Sequence, residues 1–211
     1  QPVAGGVSRW RGGFFGDLFD KSAHATRQTL RMALWHKDNS ATFQNFRTAA
    51  KLKAERAEHG MEKRYEFAGG TGDWIPRKGK TVARHQGTSW SDGDCYKYIE
   101  GLSRLYGTMD PGNERDQIKQ ELDELIPLVA SAQEDDGYLQ TQITIPYVAR
   151  WVTRRYHEDY NLGHLFTAAA VHYAGTGETS LLDIARKAAD NAYDHFMVRQ
   201  RDAGYFGWNP T

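Results

Sequence analysis

The chain repeats one short pattern about 68 residues apart, and this repeat limits the folds it can adopt. Residues 105–108 (Leu-Tyr-Gly-Thr), a helical stretch and residues 136–139 (Asp-Gly-Tyr-Leu) recur as residues 173–176 (Tyr-Ala-Gly-Thr), a helical stretch and residues 203–206 (Ala-Gly-Tyr-Phe). This spacing fits a helical hairpin with long connections, and repeated hairpins stack into α/α solenoids or close into toroids. A ring of six hairpins needs roughly twice this length on that period, so we expect one part of a larger ring.

Apolar residues recur at helical spacing over most of the chain, which predicts an all-α fold. The helical stretches are about 17–35, 42–57, 96–106, 113–129, 163–174 and 180–196. Residues 142–147 are the one stretch that allows a strand, and the glycine-rich residues 60–91 predict a long loop. We divide the chain into an N-terminal arm, residues 1–15, and the N-terminal portion of a helical toroid, residues 16–211.

The composition excludes some partners and sites. Lys plus Arg number 27 and Asp plus Glu number 27, so no net charge favours nucleic acid or an anionic membrane. No run of 18 apolar residues is present, so we expect no membrane span. The single cysteine, Cys95, excludes an internal disulfide and a cysteine-based zinc site built within this chain. Gln1 in place of Met fits a processed, exported protein or a trimmed chain; we favour a secreted or periplasmic protein.

Two polar strings carry the candidate site. Residues 92–100 and 156–165 each place acids or histidines and an aromatic residue beside the start of an amphipathic helix. Polar groups that converge at helix ends, with aromatic faces among them, suit the binding of a sugar ring. The substrate-binding candidates are His157, His164, Asp92, Asp94, Glu158 and Trp151.

His157 is the leading candidate. On a helix, His157, Asn161 and His164 are spaced i, i+4 and i+7 and share a face. A neutral imidazole both donates and accepts, which suits a sugar hydroxyl. The alternative is a histidine that packs between helices and bonds a backbone carbonyl. The His-Glu-x-x-His motif of zinc proteases is excluded, because its second histidine would occupy the position of Asn161.

Each of the other candidates has a structural alternative. Asp92 and Asp94 either accept bonds from ring hydroxyls or cap the helix that follows them. Glu158 either orients His157 or pairs with a neighbouring arginine, and Trp151 is either a wall of the sugar pocket or a core residue. A group of basic residues in the predicted loop 60–91 is interpreted as solvated. If the loop folds over the pocket, the group would instead bind an acidic neighbouring sugar. This group comprises Arg77, Lys78, Lys80, Arg84 and His85.

Six strings in order along the chain resemble glycoside hydrolase family 127, the β-L-arabinofuranosidase family. They are 45–50 (Asn-Phe-Arg-Thr-Ala-Ala), 92–97 (Asp-x-Asp-x-Tyr-Lys), 132–139 (Ala-Gln-x-x-Asp-Gly-Tyr-Leu), 150–151 (Arg-Trp), 157–164 (His-Glu-x-Tyr-x-x-Gly-His) and 176–177 (Thr-Gly). The resemblance runs from about Gly12 to Phe196. Each string is weak alone, but six in register are specific enough to indicate the family.

The resemblance implies an (α/α)6 barrel followed by β-sandwich domains, and exo-hydrolysis of terminal L-arabinofuranose or a related sugar on plant or algal polysaccharides. It implies that His157 contacts the sugar. The family's retaining mechanism passes through a covalent glycosyl-enzyme and uses a zinc-bound cysteine cluster with glutamates, to which Cys95 does not correspond. By resemblance, this chain therefore supplies scaffold and sugar contacts. The nucleophile, acid/base and zinc ligands are expected outside it, so the chain alone is expected to be inactive.

Two other interpretations remain open at the level of sequence. A polysaccharide lyase or unsaturated-uronyl hydrolase on the same toroid predicts Asp or Tyr general-acid chemistry without zinc. A non-catalytic helical-repeat module predicts a protein partner, with the His and Asp positions as ordinary surface or cap residues.

Overall fold

Helices make up most of the protein. The computed structural model describes residues 10–36, 38–66, 72–76, 78 and 84–199. The helices are α1 (Gly13–Lys21), α2 (Arg27–Trp35), α3 (Thr42–His59), α4 (Ser91–Thr108), α5 (Asn113–Ala132), α6 (Thr141–Thr144), α7 (Glu158–Thr176) and α8 (Ser180–Tyr193). A π-helical turn, Ser22–Thr26, joins α1 to α2, and another, Asp194–Arg199, extends α8. None of the described helices has the length and apolarity needed to cross a bilayer.

Two antiparallel hairpins, α4–α5 and α7–α8, form the main body. In the first, Tyr98 donates its hydroxyl to Glu121 at 2.6 Å, and Arg115 bonds the carbonyl of Tyr106 at 2.9 Å. Glycine ends the second hairpin's first helix, because Gly177 adopts the left-handed conformation (φ 77°) that favours this residue. In each hairpin, the second helix begins shortly after the first one ends, as the repeat predicts.

The first helices of the two hairpins, α4 and α7, are parallel neighbours. The Gly93 amide donates to Asn161 Oδ1 at 3.0 Å near the start of both helices, a sequence separation of 68. Just over one turn before their C-terminal ends, Ser103 Oγ lies 3.2 Å from His172 Nδ1, a separation of 69. These separations equal the spacing of the sequence repeat, so the repeat consists of two hairpins stacked side by side.

Glycine lets the two helices approach closely at their C-terminal ends. A Cβ on Gly107 would lie 3.0 Å from the Cα of Gly175, and one on Gly175 would lie 2.6 Å from the Ser103 carbonyl oxygen. Real side chains do not fit at such distances, so backbone packs directly on backbone here. This contact fixes the separation of α4 and α7.

The second helices, α5 and α8, form an adjacent layer. Gln133 donates to the carbonyl of Ile184 at 2.9 Å, and Lys119 pairs with Glu178 at 2.9 Å. Parallel helices within each layer, and antiparallel helices between layers, are the arrangement of an α/α toroid. The all-α prediction of stacked hairpins is confirmed for the described residues, with one β-hairpin as an insertion.

The core lies between these layers and α3. Its fully buried side chains include Phe43, Phe46, Leu52, Ile99, Leu102, Ile118, Leu122, Leu125 and Leu165. Burying one such side chain stabilises the fold by roughly 1.5–3 kcal/mol. Because the set draws on α3, α4, α5 and α7, no single hairpin can form this core alone.

The structure differs from two local predictions. Residues 142–147 contain the end of α6 and no strand, whereas β1 (Met61–Glu66) pairs with β2 (Gly72–Pro76) inside the predicted loop. A short apolar run fits either a strand or a buried helical turn, and here Ile143 and Ile145 are buried on one turn. Of the predicted arm, residues 1–9 lie outside the described residues, and Gly13 already begins α1. Residues 203–206, the end of the repeat, also lie outside them.

Asp92 explains why a helix forms at residue 141. Its carboxylate, almost completely buried, accepts bonds from the Thr141 amide and from the Thr141 hydroxyl, both at 2.6 Å. A carboxylate at the first residue of a helix satisfies amides that have no partner within the helix. Asp92 therefore caps α6 from another helix rather than capping α4. Burial raises the pKa of Asp92 to about 6, while the bonds from Thr141 oppose this shift.

We predict that Gly175→Ala destabilises the protein by about 1–3 kcal/mol, because the added methyl collides with the Ser103 carbonyl. Gly163→Ala is the matched control in the same helix, since nothing lies within 4 Å of its Cβ position. Alanine there is expected to be neutral or stabilising by up to about 1 kcal/mol. Urea unfolding followed by circular dichroism measures both, and equal effects of the two substitutions would contradict the close contact.

We predict that Asp92→Asn flattens the pH dependence of stability. The folded-state pKa of Asp92, about 6, lies above the usual 3.8, so the folded state binds the proton more tightly. Its contribution is therefore complete below about pH 4 and is lost as the pH rises through about 6. The asparagine variant should lose less free energy of unfolding between pH 4 and pH 7 than the parent protein. Asp123→Asn, on the exposed face of α5, controls for the loss of a carboxylate. Parallel profiles for parent and Asp92→Asn would disprove the prediction.

Candidate functional site

The two polar strings meet at one end of the structure. Because α4 and α7 run parallel, their N-terminal ends lie side by side, and Gly93 provides the closest contact. A Cβ on Gly93 would lie 2.6 Å from Asn161 Oδ1 and 3.3 Å from the ring of Tyr160. The missing side chain therefore lets the first turn of α7 lie directly against the first turn of α4.

The loop that leads into α7 has a strained backbone. Tyr147, Trp151 and His157 all have positive φ, at 54°, 61° and 54°. Left-handed conformations cost free energy for residues with bulky side chains. His157 is the N-cap of α7, with φ 54° and ψ 30°, so it lies outside the regular helix. His157 therefore precedes the regular helix on which the predicted i, i+4, i+7 spacing would place it.

The imidazole of His157 is held through one nitrogen. Nδ1 lies 2.9 Å from the carbonyl oxygen of Arg155 and 3.0 Å from Ser89 Oγ. A carbonyl only accepts, so Nδ1 carries the hydrogen in the neutral ring, and Nε2 has the lone pair. Nε2 makes no hydrogen bond to any residue that the structure describes. It is therefore oriented and available to accept a hydrogen bond from a ligand.

Two half-exposed aromatic rings flank this imidazole. Trp90 is 43% exposed, with its ring 5.2 Å from that of His157, and Tyr160 is 42% exposed, with its ring 5.9 Å away. Exposed rings beside a polar group combine an apolar face with a hydrogen-bonding partner. We call Trp90, His157 and Tyr160 the aromatic–histidine surface.

His164, Asp94 and Lys97 border this surface on the side of α4. The ring of His164 lies 4.6 Å from that of Tyr160, and Lys97 bonds the Tyr160 hydroxyl at 2.7 Å and Asp94 at 3.2 Å. Burial, and then the Lys97 charge, lower the pKa of His164, so its ring is neutral at pH 7. Of the six predicted contacts, the structure thus brings His157, His164 and Asp94 to one surface.

A buried amide network fixes the loop on which Trp90 and His157 depend. Asn161 donates to the Ser89 carbonyl and to Gln140 Oε1, both at 2.8 Å, and accepts from the Gly93 amide. Gln140 in turn donates to the carbonyls of Ser89 and Tyr156 at 3.1 and 2.9 Å. These bonds connect the loop before α4 and the first turn of α4 to α7, to the loop before α7 and to the residue before α6, so this network sets the geometry of the site.

Glu158 serves the same loop and does not face the surface. It is 2% exposed; both of its oxygens accept from the Trp151 amide, at 3.0 and 2.9 Å, and one accepts from the Tyr138 hydroxyl. Burial raises the pKa of Glu158 to about 7. This carboxylate therefore neither orients His157 nor pairs with an arginine, because its bonds go to Trp151 and Tyr138.

Trp151 and Asp92 also lie away from the aromatic–histidine surface. The indole of Trp151 packs against Tyr138 and Phe196, with ring centroids 5.7 and 5.0 Å apart, and is 6% exposed. Asp92 is engaged with Thr141. Trp151 is therefore a core residue, which is its structural alternative, whereas Asp92 caps α6 and not the helix that follows it, as its alternative predicted.

His85 is a half-buried part of the scaffold rather than a solvated loop residue. Its Nε2 lies 3.2 Å from both Asn45 Nδ2 and Ser91 Oγ, and burial lowers its pKa to about 4. Lys78 and Arg84 are exposed, whereas Arg77 and Lys80 lie outside the described residues. The expected basic group is therefore divided, and His85 belongs to the support of α4.

The zinc that the family resemblance implies does not fit the described residues. Within the described ranges, no three His, Cys, Asp or Glu side chains are grouped closely enough to hold a metal ion. Cys95 is fully buried in α4, and burial raises its thiol pKa well above the usual value, which disfavours the thiolate that zinc requires. The expectation that the ligands lie outside this chain stays a prediction.

Comparison with solved structures confirms the predicted fold class. The chain resembles a GH127 β-L-arabinofuranosidase from Geobacillus stearothermophilus T6, with a TM-score of 0.68 and 26% identity over 87% of this chain. It also resembles a second GH127 β-arabinofuranosidase, with a TM-score of 0.60 and 27% identity over 92% of the chain. The chain spans 25% and 27% of those two proteins. The fold is therefore that of helical hairpins from an (α/α)6 barrel.

Sequence comparison gives the same assignment. The chain is 33% identical over 115 residues to the non-reducing end β-L-arabinofuranosidase of Bifidobacterium longum subsp. longum, a match that covers 49% of this chain and 16% of that enzyme. Residues 9–205 match the family model described as β-L-arabinofuranosidase, GH127 catalytic domain. With nearly its whole length in that match, and with the hairpin stack described above, the chain belongs to glycoside hydrolase family 127.

Proposed function

We propose that the protein containing this chain hydrolyses the glycosidic bond of a terminal L-arabinofuranose, or of a related sugar, on plant or algal polysaccharide side chains. This chain supplies scaffold and sugar contacts at the aromatic–histidine surface. The observation that carries the proposal is the oriented imidazole of His157, whose Nε2 makes no bond to the described residues and lies between two half-exposed rings. Family membership supports the proposed sugar class.

The surface matches what a furanose ring presents. A sugar has hydroxyl groups at its edge and C–H groups on its faces, so it needs an acceptor or donor beside an aromatic face. His157 Nε2 accepts a hydrogen bond from a sugar hydroxyl, while Trp90 and Tyr160 contact the C–H face. His164, neutral at pH 7, and Asp94 add polar groups at the border. The buried Asn161 network keeps these groups in place without contacting the ligand.

We assign binding and orientation to this chain, and no bond-making step. The nucleophile and the acid/base of the retaining mechanism stay predicted outside residues 1–211, as do the remainder of the barrel and the β-sandwich domains as its partners. Membership of the family favours the hydrolase over a lyase, an unsaturated-uronyl hydrolase or a non-catalytic repeat module. We also propose that the protein is secreted or periplasmic, because polymeric substrates are met outside the cytoplasm.

We predict that His157→Ala lowers kcat/KM for p-nitrophenyl β-L-arabinofuranoside in the full-length protein by roughly 10- to 100-fold. Loss of one well-aligned hydrogen bond costs about 1–3 kcal/mol, and 1.4 kcal/mol is about tenfold. His24→Ala is the control, because His24 pairs with Glu114 at the start of α5, the opposite end of the hairpin stack. An unchanged kcat/KM in a folded His157→Ala variant would refute the role of this imidazole.

We predict that Trp90→Ala raises KM for the same substrate roughly tenfold, whereas Trp90→Phe retains most of the affinity. The indole stands beside His157 and is half exposed, so its loss removes an aromatic face without opening a core cavity. Thermal unfolding checks that both variants fold. If phenylalanine is no better than alanine, stacking on the sugar is not the function of this side chain.

A further inference from the structure

A second concave surface lies at the same end of the protein, outside the aromatic–histidine surface. It is a cavity of about 440 Å³ between residues 143–151 and the end of α8 with its π-helical turn. Sites for small molecules typically have volumes of roughly 300–1,000 Å³. The cavity is therefore large enough for a sugar unit, and none of the roles assigned above uses it.

Its lining has the chemistry of a site for a neutral polyhydroxylated ligand. Two aromatic residues, Tyr147 and Trp151, contribute apolar surface. Planar polar groups surround them: the carboxylate of Asp136, the amide of Asn191 and the guanidinium groups of Arg150 and Arg199. Planar groups with several donors or acceptors in fixed geometry match pairs of neighbouring hydroxyls.

The charges of this cavity cancel within it. Arg150 pairs with Asp136 at 2.5 Å, and Arg199 pairs with Asp194 at 2.6 Å. Because each guanidinium already faces a carboxylate, the two arginines of the lining offer no unpaired cation to a phosphate or a uronate. A neutral sugar is therefore a better ligand than an anionic one.

Polar atoms remain available at its edge. Asn191 donates its amide to the Asp136 carbonyl at 3.1 Å, and its Oδ1 accepts no hydrogen bond from the described residues. Arg199 is 74% exposed and pairs with Asp194 through Nε, and its terminal nitrogens make no ion pair with any residue that the structure describes. One acceptor and several donors thus lie in the lining of the cavity, together with Tyr147 and Trp151.

Trp151 connects this cavity to the aromatic–histidine surface. Its side chain lines the cavity, while its amide is held by Glu158, the residue directly after His157. The buried carboxylate of Glu158 therefore connects Trp151, in the wall of the cavity, to His157.

We propose that this cavity is a second carbohydrate subsite, which binds neutral sugar units adjoining the terminal one held at His157. The inference rests on the proposed function for the identity of the sugar, but not for the existence of the subsite. It deepens that function by giving the protein a preference for oligosaccharides over single sugars.

Binding of linear arabino-oligosaccharides of one to five units to the full-length protein, measured by calorimetry, tests the proposal. In the parent protein, affinity should rise with the second and third units. Arg199→Gln and Asn191→Ala should each weaken binding of the three-unit ligand roughly 5- to 10-fold, about 1 kcal/mol or slightly more, and leave binding of the one-unit ligand unchanged. Arg186→Gln is the matched control, because Arg186 forms an exposed ion pair with Asp183 on the same helix and is expected to change neither quantity.

The outcomes separate the two proposals. Affinity that does not depend on length, or on these two side chains in folded variants, overturns the subsite and leaves the proposed hydrolysis intact. Length-dependent binding that is lost in both variants supports the subsite even if no arabinofuranoside is hydrolysed, in which case the proposed function fails. Xylo-oligosaccharides and galacto-oligosaccharides, tested in the same way, determine whether the subsite selects among neutral sugars.

Discussion

The close parallel contact of α4 with α7 is the constraint on which the rest of the structure depends. At one end, Gly107 and Gly175 bring the two backbones together. At the other end, Asn161 bonds the first turn of α4. Because both ends are fixed, the two N-termini stay level with each other. Residues 68 positions apart in sequence therefore become neighbours at one edge, and that edge carries the candidate site.

Much of the fold could be predicted because helical periodicity and repeat spacing are local or regular signals. The repeat predicts stacked hairpins, and the contacts between α4 and α7 join residues 68 and 69 positions apart. The short elements could not be predicted in the same way. α6 depends on Asp92, a partner 49 residues distant in sequence, and an apolar run of this length has no periodicity that distinguishes a helical turn from a strand. The β-hairpin, likewise, is defined by pairing between Met61 and Pro76 rather than by pattern.

The candidate site was only partly accessible to sequence reasoning. Residue type and position identified His157, His164 and Asp94, which lie at one surface. Asp92 and Glu158 were also predicted to be at this surface, but the structure buries them. The sequence could not show this, because a carboxylate near a helix start has the same pattern whether it faces solvent or a neighbouring loop. Trp90, Ser89 and Gln140 were missed because their roles arise from contacts with distant segments. The sequence places Asn161 at helical spacing between two histidines, which predicts that it shares their face. It does not predict the buried hydrogen bonds by which Asn161 joins α7 to Ser89, Gly93 and Gln140.

The left-handed conformations of Tyr147, Trp151 and His157 have a consequence for ligand recognition. Each costs on the order of 1 kcal/mol or more relative to relaxed backbone, and the loop adopts them before any ligand arrives. A flexible loop would lose conformational entropy on closing around a sugar, which weakens association. Here that ordering has already occurred during folding, so a ligand meets a rigid template. Weak individual contacts, such as one hydroxyl on an imidazole and one ring face on an indole, can then contribute almost fully to affinity.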